Sequence, residues 1–127
     1  MNILIIDKSE NMRTRLERLL DCEGYQVHQA KNGVDALKLL NEDSKINMVL
    51  SGLDLSDSDA MTFLKNTRQN DKTKYLPVLI HYDISQCSRD IKEFIKDLGV
   101  TAWIPRPAKA KALVSLLEKV VERLIVA

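Results

Sequence analysis

The chain has 127 residues, enough for one domain with a sizeable core and too few for two. Its 19 basic and 18 acidic side chains leave a formal net charge of +1, which argues against a nucleic-acid partner, because such a surface needs excess positive charge to replace counterions. Apolar residues at 45% and charged residues at 29% match an ordinary soluble globular protein.

No apolar run approaches the length of a membrane span. The apolar start, Ile3 to Ile6, ends at Asp7 and is too short for a secretory signal. Cys22 and Cys87 form no CxxC pair, and two reduced thiols in a cytoplasmic protein are expected.

In chain order, Ile3–Ile6 predicts a first strand. Ser9 stands as an N-cap before a helix striped by Met12, Leu16, Leu19 and Leu20. Tyr25–Gln29 alternates in character and predicts a second strand. Asn32-Gly33 then opens a helix carrying Val34, Leu37 and Leu40. Ile46–Leu50 predicts a third strand, followed by an N-cap at Ser58 and a helix marked by Met61, Leu64 and Thr67. Pro77–Ile80 predicts a fourth strand, followed by a helix on Ile91, Ile95 and Leu98 that Gly99 terminates. Val100–Ile104 predicts the fifth strand, and Leu113, Leu117, Val120 and Leu124 the last helix. Near-continuous apolar strands are covered on both faces, so the alternation predicts an α/β domain over residues 1–127: a parallel sheet between two helical layers. In such sheets chemistry sits beyond the C-terminal strand ends. Those ends hold Asp7-Lys8, Ser51-Gly52-Leu53-Asp54, His81-Tyr82-Asp83 and Pro105-Arg106-Pro107.

At these residues, and over residues 2 to about 124, the sequence resembles the receiver domain of two-component response regulators. ILIIDKSENMRTRLERLL is similar to that family's first strand and helix, and GYQVHQAKNGVDALKLL to its second unit. NMVLSGLDLSDSDAMTFLKNTR is similar to the third strand, active loop and third helix. YLPVLI and WIPRP match the fourth strand and the end of the fifth. The resemblance implies a flavodoxin-like (βα)5 sandwich with strand order 2-1-3-4-5. It also implies a chemistry. Two acids after strand one and an aspartate after strand three hold Mg²⁺, and the latter accepts phosphate from a histidine kinase. A Thr or Ser after strand four and a Lys after strand five contact the phosphoryl group. An aromatic on strand five follows by changing rotamer.

Residue by residue, this chain departs from that pattern. Asp7 matches the first acid, but Lys8 replaces the second and Gly52 the phosphoacceptor. Tyr82 stands at the Thr/Ser position, Arg106 at the lysine and Trp103 at the aromatic; Ser56 and Ala60 replace the usual loop proline and glycine. The spacing from Asp7 through Gly52 to Tyr82 and Asp59 is the family's, and making Asp54 the acceptor breaks it by two residues. Glycine offers no nucleophile. Mg²⁺ requires oxygen ligands, so loss of metal binding is expected and no cofactor is foreseen. An ion pair of Lys8 with Asp7 or Asp54 is expected, as is an Arg106 contact to Asp54 or Asp83. Tyr82 has the bulk to fill space vacated at Gly52. His28 and His81 show no metal-ligand spacing and read as structural.

The last helix carries Val114, Val121 and Ile125 beside its core stripe. A wide apolar arc is a broad core face or an interface. The resemblance implies partner contacts or dimers on this side of the fold. The leading expectation is a signalling module without enzymatic activity. It acts through a protein partner, a kinase or another signalling protein, or as a homodimer. A regulator phosphorylated at Asp54 is the alternative, and a cofactor carrier on the same fold is the third class.

Overall fold

The computed structural model describes the chain apart from residues 43–44, 54–59, 84, 86–88, 90–92, 94–95, 107 and 127, and apart from the side chains at 125 and 126. Strands β1 (Asn2–Ile6), β2 (Gln26–Ala30), β3 (Ile46–Gly52), β4 (Val78–Tyr82) and β5 (Ala102–Pro105) alternate with helices α1 (Glu10–Cys22), α2 (Gly33–Glu42), α3 (Ala60–Gln69) and α4 (Ala110–Val126). The sheet runs β2-β1-β3-β4-β5, with every pair parallel. This is the flavodoxin-like order. Five helices were expected, and four are delineated among the described residues. Ile91 and Ile95 of the remaining apolar stripe lie outside the described residues, as do Ser58 and Cys87.

The apolar run of β1 is explained by its two faces. Leu4 and Ile6 join Val49, Val78 and Ile80 beneath α2 and α3. Ile3 and Ile5 join Met48, Leu50 and Leu79 beneath α1 and α4. Successive strand residues point to opposite faces, so a central strand with helices on both sides favours apolar residues at successive positions. Truncating a fully buried side chain here, such as Leu4→Ala, costs about 2–5 kcal/mol. β2 and β5, at the sheet edges, are less fully buried, which is why β2 shows only weak alternation.

The caps follow the sequence. Ser9 Oγ accepts from the Met12 N–H at 3.2 Å, and Asn32 Oδ1 accepts from the Asp35 N–H at 2.8 Å. These bonds fix where α1 and α2 begin, and therefore where the chain leaves β1 and β2. Gly99 takes φ +74°, the left-handed region that a glycine enters without a Cβ clash. Two stripe positions differ from expectation: Val34 is exposed, and Leu124 lies on the open side of α4. The core beneath α2 takes Ala36 and Leu40 instead, and that beneath α4 takes Leu113, Leu117 and Val120. A residue not singled out in the sequence, Arg68, ties the far end of the sheet together. The Arg68 guanidinium donates to the carbonyls of Leu98 (2.7 Å), Gly99 (3.0 Å) and Leu76 (2.8 Å), and to those of Thr73 and Lys74 (both 3.2 Å).

Candidate functional site

Strand register assembles the site. Ile6 pairs with Ser51, Gly52 with His81 and Tyr82 with Pro105. The next residues along β1 and β5 are Asp7 and Arg106, so four strand ends converge on one point. Asp7 is 3% exposed. Its Oδ1 accepts from the Ser9 N–H at 2.9 Å, and its Oδ2 forms an ion pair with Arg106 Nη2. Its backbone is held as well: the Asp7 N–H donates to the Ala30 carbonyl at 3.1 Å. Arg13 Nη1 donates to the Asp7 carbonyl at 2.7 Å.

Arg106 makes a second contact, donating from Nε to His81 Nδ1 at 3.2 Å. A guanidinium only donates, so Nδ1 is the acceptor and the imidazole proton resides on Nε2. His81 is therefore neutral. Burial pulls its pKa down from 6.5 to about 4, and the Arg106 charge adds to this, with Asp7 acting in the opposite sense. Among the described residues the buried Nε2 has no hydrogen-bond partner.

Gly52 lies under the ion pair. A Cβ at this position would sit 3.1 Å from Asp7 Oδ2 and 3.3 Å from Arg106 Nη2, closer than side chains ordinarily pack. The missing side chain leaves room for the Arg106–Asp7 contact, which a Cβ would crowd by a few tenths of an ångström. Among the described residues the ion-pair partner of Arg106 is Asp7, where a contact to Asp54 or Asp83 was expected, and Asp7 and Arg106 are the nearest groups to the space above Gly52, where Tyr82 was expected. Lys8 is exposed, while Asp54 lies outside the described residues. Asp83 is exposed, and its carboxyl is held below the usual range, first by the Ser85 N–H (3.1 Å) and then by the Ser85 hydroxyl (3.0 Å), with a smaller contribution from Arg106.

Among the described residues, one oxygen of Asp7 accepts a backbone N–H and the other faces a guanidinium, position 52 offers no side-chain oxygen, and position 8 is a cation. Among the described residues no group of three or more His, Cys, Asp or Glu side chains is placed to hold a metal ion.

Residues 3–118 match the response regulator receiver domain family. The chain belongs to that family. As a receiver domain it is a module of two-component signalling. It is 30% identical over 98% of its length to the chemotaxis protein CheY-3 of Vibrio cholerae, covering 94% of that protein. It is 27% identical over 95% of its length to a CpxR homolog of Haemophilus influenzae, a transcriptional regulatory protein of which it covers 50%. Among solved structures, CheY4 of Vibrio cholerae superposes with a TM-score of 0.84 at 24% identity, over 94% of this chain and 97% of that one. A two-component response regulator from Clostridium difficile superposes at 0.87 and 21% identity, over 98% of both chains.

Within this receiver domain Tyr82 is buried, not a wetted surface residue. Its ring meets Trp103 edge to face at a centroid distance of 5.7 Å and 81°, a favourable aromatic geometry. Its carbonyl accepts the Arg106 N–H at 2.7 Å, so the residue beside the aromatic pair also anchors the arginine's backbone. On α4, Val114 and Val121 are half-buried, Val121 against the core. The Ile125 side chain lies outside the described residues. His81, read as structural, is part of the site. It occupies the end of β4 immediately before Tyr82, and its role rests on the contact with Arg106, 25 positions away, which carries no spacing signal in the sequence. Among the described residues no helix is long and apolar enough to cross a membrane.

Proposed function

We propose that this receiver domain signals through protein contacts and does not accept phosphate at position 52. One observation carries the reading: the Arg106–Asp7 ion pair spans the place where a phosphoacceptor side chain would stand. An internal guanidinium takes the position of metal and phosphoryl group. Among the described residues Mg²⁺ then finds the Asp7 carboxylate already engaged, and no covalent event at position 52 changes the charge of the pocket. A ligand shifts a conformational equilibrium only by differential affinity for its states, so without that ligand packing alone sets the state. The Tyr82–Trp103 stack and the Arg106 clamp hold β4 and β5 together in one arrangement. The partner is a protein, either a kinase or other signalling protein or a second copy of the chain. It reads the surface around β5 and α4, including Val114 and Val121.

The test is incubation with a small acyl phosphate and Mg²⁺, followed by intact mass. The expected result is no phosphoryl adduct, with partner binding unchanged by the phosphodonor. An adduct that disappears in Asp54→Asn would establish the alternative, a receiver phosphorylated at an atypical aspartate.

A further inference from the structure

A cavity of about 320 Å³ lies between α1 and α4, beside the strand ends. Met12, Leu16, Leu19 and Leu113 form its apolar wall, and His81, Arg106 and Arg15 supply its polar end. Small-molecule sites are typically apolar clefts of roughly 300–1,000 Å³ with a few convergent polar groups, and this one falls within that range.

The polar end has a defined chemistry. Arg106 already donates to His81 Nδ1, so the imidazole is neutral and presents an N–H at Nε2. That atom is buried with no partner among the described residues, although buried polar groups are nearly always hydrogen-bonded. The histidine is only 4% exposed, so it is reached by a group that enters the cavity to its full depth. Arg106 has more N–H donors than its contacts with Asp7 and His81 use, and Arg15 stands exposed at the rim. An uncharged N–H donor and two guanidiniums lining one cavity favour an anionic oxygen. The walls favour a short hydrocarbon.

We propose that this cavity binds a small amphipathic carboxylate, its acid group among His81, Arg106 and Arg15 and its apolar body along Leu16, Leu19 and Leu113. The site is independent of phosphorylation. It lies on the α1 side of the Asp7–Arg106 pair, so occupancy bears on the residue that holds β5 to β1.

The probe is octanoate, with octanol and octylamine as controls of similar length. Binding is followed by NMR on the intact chain, labelled at histidine nitrogens and leucine methyls. Octanoate is expected to give saturable shifts at His81 Nε2 and at the Leu16 and Leu113 methyls, with affinity at least about tenfold above that of either control, as charge-assisted hydrogen bonds predict. Arg15→Gln, at an exposed position that leaves the core intact, should weaken octanoate by roughly two- to five-fold. Ala110→Trp should abolish binding by filling the mouth. Octylamine or octanol binding as tightly as octanoate overturns the proposal. So does an absence of saturable shifts, or an Ala110→Trp variant that binds unchanged.

Discussion

Replacing Arg106 by methionine is the most direct probe of the site, because it keeps most of the side-chain volume and removes the charge. The carboxylate left behind is 5% exposed, and the arginine it loses is 22% exposed. Breaking a buried ion pair by removing one partner typically costs about 3–5 kcal/mol. Two features reduce that here. The Ser9 N–H still satisfies Asp7 Oδ1, and the partial exposure of the arginine lets water replace some of its contacts. The expected loss is about 2–3 kcal/mol, a large share of the roughly 5–15 kcal/mol available to a domain. At this chain length that corresponds to a fall in Tm of about 10 °C. Urea unfolding of wild type, Arg106→Met, Asp7→Asn and the double variant gives the coupling. Because Asp7→Asn removes the orphaned charge, the double variant should be less destabilised than the sum of the singles by about 1–2 kcal/mol. A loss below about 0.5 kcal/mol in Arg106→Met, or strict additivity, would show that the pair does not organise the pocket.

Three further outcomes follow from the same geometry. His81 has a folded pKa of about 4 against an ordinary 6.5, so the unfolded chain binds the extra proton first. Its contribution is complete above 6.5 and is lost as pH falls toward 4, by up to about 3 kcal/mol; urea midpoints across this window should fall in wild type and flatten in His81→Gln, and an equal slope in both contradicts the assignment. Arg68→Lys replaces a fork that reaches five carbonyls with a single ammonium, and thermal unfolding should register a loss of about 1–3 kcal/mol. The double variant Lys8→Asp, Gly52→Asp should gain no phosphoryl adduct by intact mass until Arg106→Lys is added, since the guanidinium otherwise claims the restored acids; an adduct in the double variant alone refutes that order.

Periodicity was sufficient for the fold because burial on two faces leaves a distinct mark. β1 and β3 sit at the centre of the sheet, and their unbroken apolar runs have no other economical explanation. Boundaries were less legible where the signal is not burial. β3 runs on to Gly52, although Ser51 and Gly52 look like a loop, because Ser51 is fully buried and its hydroxyl donates to the Gly52 carbonyl at 2.8 Å. Val34 carries an apolar side chain at helical spacing and is nevertheless exposed, because α2 turns Gly33, Ala36 and Leu40 inward instead. For the site, the positions were readable and the partners were not. Asp7, Gly52, Tyr82 and Arg106 converge because strand ends converge. Which carboxylate an arginine selects depends on where its long side chain finds room, and that is a property of the folded backbone.

Room of that kind couples the substitutions at positions 52 and 106. With a side chain at 52, the guanidinium and Asp7 Oδ2 would both lie within crowding distance of a new Cβ. With lysine at 106, one ammonium would replace the two separate nitrogens that now reach Asp7 and His81. His81 belongs to the same set. It accepts from Arg106 only while neutral, and the cation beside it helps keep it neutral. Glycine, arginine and histidine therefore meet around Asp7. A charge introduced from outside, whether metal or phosphoryl, has to displace a guanidinium held by a buried carboxylate, a ring nitrogen and a backbone bond to Tyr82. On the proposed reading that displacement opposes binding, and the edge-to-face Tyr82–Trp103 pair beside it receives no trigger.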